Sequence, residues 1–417
     1  MKKFRNRIAA ITAVSFAATF AVATTPAQAE DVTLKLVMAA YTDEMVPYYA
    51  GLEKAFEAAN PGIDVQVDVV AWPEIGQKVK TLIASGQSPD IVNNDEFAGE
   101  AAAGLLYRAD EIVSAEVLKD IVPAFVNNSK YKGTALAVPD LASARGFAWN
   151  KKLIAGAGIK KAPTTWPEML AAAKAVKKKY PDVYPYCLPL GPEEAQMIFT
   201  TWGGVNGGRL FNEKSNKYTL NNAKFKGGLD FLKSLVDQKL TQPNPGKTNR
   251  TDGCWTLFAK GKVAMVDGAV FFPGWLKENG GGSIDVAQGP FPHAPGQKSV
   301  TVGVQDYFKG YKANGRQVEI QKFLTFLFEP TNYQGFLKAA GTFIPATKSA
   351  AKLFENDPVI APFSKLLPNA IFYPGTVGSW QACKAAIVTY MGNAMSNTGK
   401  ALQQMQAKCD AAHKKVK

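Results

Sequence analysis

This sequence predicts an α/β fold whose sheet is mainly parallel, and three observations support it. Helix-spaced and strand-patterned segments alternate from about residue 34 onward. The strand candidates are short, aliphatic and bounded by Gly, Pro, Asn or Asp. The chain has 417 residues, enough for two or three domains after a leader is set aside.

Each element follows from local pattern. Leu34–Met38 is the first strand. Pro47–Asn60 carries Tyr48, Leu52, Ala55, Phe56 and Ala59 at helical spacing, and Asn60-Pro61-Gly62 ends it. Ile63–Val69 alternates apolar with polar, the mark of a half-buried strand. Ile75–Ser85 is a helix, Ile91-Val92 a short strand after Ser88-Pro89-Asp90, and Ala98–Leu105 a helix. Thr134–Val138 and Gly146–Trp149 are strands where the chain can pass from one lobe to another. Thr165-Trp166-Pro167-Glu168 opens a helix to Tyr180, with Thr165 as N-cap, Pro167 in the first turn and Glu168 closing the capping box. Helices are expected over Glu193–Thr201, Asn222–Gln238, Gly253–Lys260 and Arg316–Phe328, a strand over Val263–Val266, and one long helical tail over Ala382–Gln406.

The first 29 residues read as an export signal. Met1–Arg7 is basic, Ile8–Val22 is apolar but short, and Ala27-Gln28-Ala29 is a small-x-small cleavage site. No Cys stands at that site, so no lipid anchor is expected, and a free exported protein points to a periplasm. The net charge of +13 falls to +9 once the four basic leader residues are removed. Such an excess fits nucleic acid, an anionic ligand or a solvated surface; the lysines are dispersed, which favours the surface and no nucleic-acid partner. Four cysteines, Cys187, Cys254, Cys383 and Cys409, in an exported chain read as disulfides, with three pairings open. Long Cys spacings and only His293 and His413 argue for no metal and no cofactor.

Catalytic motifs are sparse. Two histidines leave little for general acid/base chemistry, and neither a Gly-x-Ser-x-Gly elbow nor a P-loop is present. The paired acids Asp43-Glu44 and Glu193-Glu194 keep a secreted glycoside hydrolase open as a minor reading. Polar and aromatic residues gather instead at element junctions. Tyr41-Thr42-Asp43-Glu44 follows the first strand, Asn94-Asp95-Glu96 the third, Phe271-Phe272 a later strand, and Gln305-Asp306-Tyr307 another; Trp380 opens the last helical segment. Carboxylates and amides pair with hydroxyls, and aromatic faces cover apolar C–H faces, so this combination suits a sugar. The competing readings are an N-cap for Asp95, core for Phe271, Phe272 and Trp380, and solvent for Asp43 and Glu44.

Several segments together resemble the extracellular solute-binding proteins of bacterial ABC importers, in the maltose-binding-type sugar group. The carriers are FEAANPGIDVQVDVV, IASGQSPDIVNNDEFAGEAAAGLL, VPDLASARGFAWNKKLI, TTWPEML, FAKGKVAMVDGAVFF, TFIPATKSA and GSWQACKAAI, spread over nearly all the mature chain. The resemblance implies two α/β lobes about a hinge, residues 30–141 plus 302–345 and 142–301 plus 346–417, with a carbohydrate in the cleft. It implies a monomer that delivers this ligand to permease subunits in the inner membrane and is not an enzyme. All four cysteines then share the second lobe. Asp95 matches the family's sugar-binding acid, with Glu96 beside it, and Trp380 matches its stacking Trp. Tyr41, Thr42, Asp43 and Glu44 take the first-strand loop. Ser143 stands where maltose binders carry an acid, with Arg145 close by, and Phe271 substitutes for a stacking Trp. Glu193, Glu194 and Trp202 occupy the second lobe's contact stretch, and Gln305, Asp306, Tyr307 and Thr342 the returning segment. The departure at Ser143, with Arg145 and the basic charge, leaves an anionic sugar derivative (sulfonated, phosphorylated or uronic) as the alternative ligand.

Overall fold

A short aliphatic run buried on both faces becomes a strand, and Val32–Ala39 (β1), whose last four residues are all buried, does so at the start of the described chain. The computed structural model describes residues 31–367 and 370–416. The export signal and its cleavage site lie outside those residues. β1 pairs in parallel with Ile63–Val70 (β2) along its whole length, and with Ile91–Asn94 (β3) on its other edge. The β1–β2 crossover is the helix Met45–Ala59, which buries Met45, Tyr49, Leu52 and Phe56 at three- and four-residue steps. It ends at Asn60, and Gly62 turns the chain at φ +88°, where a side chain is strained.

Two long strands then cross the molecule. Val138–Asn150 (β4) runs antiparallel to Val302–Gly310 (β8) over its first half and to Val263–Ala269 (β6) over its second. Tyr184–Cys187 (β5) lies parallel to β6, and Val286–Gly289 (β7) pairs with β4. Ile344–Pro345 (β9) adds to β4, and Ile371–Phe372 (β10) to β8. The sheet order is β2-β1-β3-β8-β4-β6-β5. Pairing is parallel toward the outside and antiparallel where the crossing strands insert. A bulge between Asp306 and Tyr307 interrupts β8 against β4.

Apolar side chains separate into clusters on either face of this sheet. One, with Leu36, Phe56, Phe308 and Phe336, packs under β1, β3 and β8; the largest, with Tyr186, Trp202, Leu232 and Leu402, packs on the β5–β6 side. Ala346, Ala350, Ile360 and Phe363 belong to the first cluster, so the expected division at 345/346 does not fall at a break in packing. The capping box at Thr165 and Glu168 forms as expected. The long C-terminal helix does not: the chain makes Trp380–Met391 and Thr398–Lys415, broken by Gly392 and restarted by Asn397, whose side chain caps Lys400 N. The cysteines pair as Cys187–Cys254 and Cys383–Cys409, all fully buried. The first ties β5 to a π-helical turn, Arg250–Trp255; the second ties the two C-terminal helices together.

Candidate functional site

β3 stops at Asn94 because Asn94 Oδ1 accepts from Glu96 N (3.2 Å), turning the chain outward. Asp95 is not an N-cap: the helix Ala98–Ala102 begins after Phe97 without a side-chain cap. Asp95 and Glu96 instead meet Lys384, whose Nζ lies 3.3 Å from Asp95 Oδ2 and 3.2 Å from Glu96 Oε1. Burial and Asp95 raise the Glu96 carboxyl above its ordinary value, against Lys384. Burial pulls the Lys384 ammonium down, but Asp95 and Glu96 outweigh it and hold it above the ordinary lysine value.

Trp380 stands one helical turn before Lys384 and stacks on Tyr373, with centroids 5.4 Å apart and planes 20° apart. Trp380 is buried in the large core cluster, so the core reading holds for most of its surface. It also lines a cavity of about 470 Å³ together with Asp95, Asn128, Gln305, Tyr307 and Tyr373. Gln305 donates to Phe125 O (2.9 Å) and accepts from Asn128 Nδ2 (3.2 Å), while Tyr307 donates to Asn128 O (3.1 Å). This cavity is in the usual size range of small-molecule pockets and carries carboxylate, amide and aromatic groups.

Asp306 bonds to a different set of side chains. Tyr41 OH donates to Asp306 Oδ2 (2.9 Å) and approaches Asp140 Oδ2 (3.4 Å), which also accepts from Asn93 Nδ2 (2.6 Å). Burial pushes the Asp140 carboxyl up to about 7, despite the bonds from Leu141 N, Asn93 and Tyr41. Burial, then Asp140 and Asp95, drive Asp306 well up. Asp306 Oδ1 and Asn93 Oδ1 are buried without a partner.

A second wall, joined to Tyr41 through Phe343 and Phe271, is built differently. Arg145 of β4 bonds Glu194 Oε1 through Nη2 (2.8 Å). Arg250 bonds the same oxygen and reaches Glu193 Oε1 at 2.9 Å, while Thr251 N donates to Glu193 Oε2 at 2.9 Å. Burial works against the Glu193 carboxylate, but Arg250 and Thr251 hold its pKa below the ordinary value. Both guanidinium groups lie 5.6 Å from the Phe271 ring, and Arg250 also covers Trp255 at 4.5 Å. Phe271 stacks on Phe343 (5.2 Å), and Phe343 meets Tyr41 edge-on (5.3 Å).

The structure therefore gathers Tyr41, Asp95, Glu96, Arg145, Glu193, Glu194, Phe271, Gln305, Asp306, Tyr307 and Trp380 along this crossing. Other expected residues serve elsewhere. Trp202 is fully buried among Tyr186, Phe231 and Phe291, so it is core and not a contact. Thr42 donates to Ala339 O (2.7 Å) and fixes a turn, and Asp43 and Glu44 are exposed. Ser143 is buried in β4 opposite Val304. Thr342 lies beside Gly274. Sequence reasoning missed Lys384, Arg250 and Tyr373. Lys384 carried a signal, since a residue four after Trp380 shares its helix face. Arg250 carried none.

Comparison with known proteins gives this arrangement its setting. The sequence model of the bacterial extracellular solute-binding proteins matches residues 39–334. The chain belongs to that family. A putative binding protein of Brucella abortus is 29% identical over 92% of this chain and 93% of its own. The multiple sugar-binding protein of Streptococcus mutans is 24% identical over 75% of this chain and 74% of its own. The fold resembles that of an ABC transporter solute-binding protein from Thermotoga lettingae bound with α-D-tagatose, with a TM-score of 0.80 and 18% identity, covering 93% of this chain and all of the other. The solved structures it resembles have two lobes, and β4 is the strand of this chain that pairs on both sides, with β8 and with β6.

Proposed function

We propose that this protein is the periplasmic binding component of an ABC importer and captures a neutral carbohydrate, a mono- or oligosaccharide or related polyol, between its lobes. The observation that carries this reading is Asp95 at the mouth of β3, lining one cavity with the Tyr373–Trp380 stack. The carboxylate accepts from ligand hydroxyls, Gln305 and Asn128 supply amides, and the aromatic faces cover the ring's C–H surface. Ligand favours the closed state by the contacts it makes only there, and the closed form is delivered to permease subunits in the inner membrane. The protein acts as a monomer, and Glu193 and Glu194 serve as partners of Arg250 and Arg145 rather than as catalytic acids. The export signal read in the first 29 residues supports a periplasmic location. The lobes divide near residues 141, 302 and 367, following the packing clusters.

Neutral ligand chemistry is supported by the charge pairing, since Arg145 and Arg250 meet Glu194 and Glu193, and Lys384 meets Asp95 and Glu96. One observation favours the anionic sugar derivative: Arg145 Nε and Nη1 are buried without partners. The test is thermal-shift screening of the unfolded and refolded, ligand-stripped protein against neutral sugars, polyols and uronic, sulfonated and phosphorylated sugars. Stabilisation by a neutral compound supports the first reading. Stabilisation by an anion alone, lost in Arg145→Ala, supports the second. No stabilisation by any carbohydrate or polyol rejects both.

A further inference from the structure

We propose that His413 is a positioning residue for Trp380, and that the proton on its ring sets one side of the cavity. His413 is buried in the last helix, Thr398–Lys415. Its ring joins three elements. Nδ1 lies 3.0 Å from Ser379 Oγ, in the residue just before Trp380. Nε2 lies 3.1 Å from Asn216 O and 3.2 Å from Asn216 Oδ1. Asn216 sits in the hairpin that pairs Phe211–Asn212 with Lys217–Tyr218. Tyr218 OH closes the circuit, 3.2 Å from Ser379 Oγ.

These atoms fix the direction of the chain of bonds. Two carbonyl oxygens face Nε2, so Nε2 carries the hydrogen of the neutral ring. Nδ1 then accepts from Ser379 OH, and Ser379 Oγ accepts from Tyr218 OH. A proton added at Nδ1 reverses this order, because an imidazolium has two donors and no acceptor. Ser379 must then accept from His413, and its own hydrogen turns toward Tyr218. Burial pushes the Tyr218 hydroxyl up to about 12, against its bond with Ser379, so Tyr218 keeps its hydrogen and only His413 changes charge.

Both ends of the chain reach the cavity of about 470 Å³. Ser379 opens the turn that carries Trp380, whose ring stacks on Tyr373. The hairpin supplies Phe211 to the same lining, and the Phe211 ring meets Tyr218 (5.1 Å) and His413 (5.4 Å) edge-on. The helix under His413 is tied down one turn earlier by Cys409–Cys383, so the two hydroxyls take up the reversal. No charged side chain bonds the ring among the described residues. Glu213, Lys214 and Lys217 of the hairpin and Lys414 and Lys415 of the helix are exposed. Asp410, one turn back, accepts from Gln406 Nε2 (2.9 Å), and Lys384, beyond Trp380, is paired with Asp95 and Glu96. That Trp380 meets a ligand rests on the proposed function; the chain of bonds does not.

The experiment is ¹⁹F NMR of the mature protein labelled with 5-fluorotryptophan, without any sugar, from about pH 5 to about pH 8, the span in which histidine changes charge. The Trp380 signal is assigned by its loss in Trp380→Phe, and the His413 ring proton by its loss in His413→Gln. The expected result is a Trp380 signal that shifts with the midpoint of the His413 ring, and a fixed Trp380 signal in His413→Gln. A Trp380 signal that stays still in the wild type, or that shifts alike in His413→Gln, overturns the proposal. Should His413→Gln fail to fold by circular dichroism, the wild type still decides, since the two midpoints either coincide or differ. Because no sugar is present, failure of the carbohydrate reading leaves this outcome untouched.

Discussion

The two clusters of buried acids, aspartates in one wall and glutamates in the other, are handled in opposite ways. Where β4 meets β8, Asp140 and Asp306 are buried with only neutral donors, Tyr41, Asn93 and Leu141 N, bonded to them, and both carboxyls rise. On the β4–β6 side, Glu193 and Glu194 are held by Arg145 and Arg250, and the Glu193 carboxyl falls. Burial raises the carboxyls in both places, and only where Arg250 and Thr251 oppose it does one fall. The first wall holds protons that it gives up as pH rises. The second is a cross-linked ionic surface, fixed by the Cys187–Cys254 bridge four residues from Arg250.

The contrast can be broken most forcefully at that bridge. Replacing both Cys187 and Cys254 with Ala is expected to cost about 4 kcal/mol, from the freedom returned to the unfolded loop. Urea denaturation measures it, and a loss under 1 kcal/mol would mean the π-helical turn does not depend on the bridge. Arg250→Ala comes next, at about 3 kcal/mol, because it strands Glu193 and part of the Glu194 pairing in a mostly buried place. The same denaturation assay, with Arg145→Ala as a companion, shows whether the second wall behaves as one network.

The first wall is tested by pH. The folded Asp140 carboxyl sits at about 7, above its unfolded value near 4, so folding takes up a proton in that window. Stability from this group is therefore present below about pH 4 and is lost as pH rises to about 7, by up to about 1.4 kcal/mol per unit. Asp140→Asn should flatten that slope in a series of melting curves, and an unchanged slope would place the proton elsewhere. The smallest effect is expected at Trp202→Phe. It should cost about 1–2 kcal/mol, less than the 3–5 kcal/mol of a full truncation, and leave ligand affinity unaltered.

Much of the β1–β3 wall was legible in the sequence. Alternation over Ile63–Val69 and helical spacing from Tyr48 to Ala59 are local signals, and they led to a strand whose mouth carries Asp95. The second wall was much less legible. Arg250 meets Glu193, 57 residues earlier in sequence, through a π-helical turn that no periodicity announces. Trp202 and Trp380 read alike, as aromatics in helices, and only packing separates the core residue from the one that also lines the cavity. Lys384 was readable from its step of four after Trp380. The break at Gly392 was missed because Ala382–Gln406 keeps a helical composition on both sides of it.

The most direct test is isothermal titration of the ligand-stripped wild type and Asp95→Asn with the compound that stabilises the protein best in the carbohydrate screen. The expected result is a saturable heat for the wild type and a loss of affinity of about 10- to 100-fold for Asp95→Asn, the cost of removing a charged acceptor from a hydroxyl. Equal affinity in the two proteins, or no carbohydrate or polyol that binds the wild type, would contradict a sugar site built on Asp95.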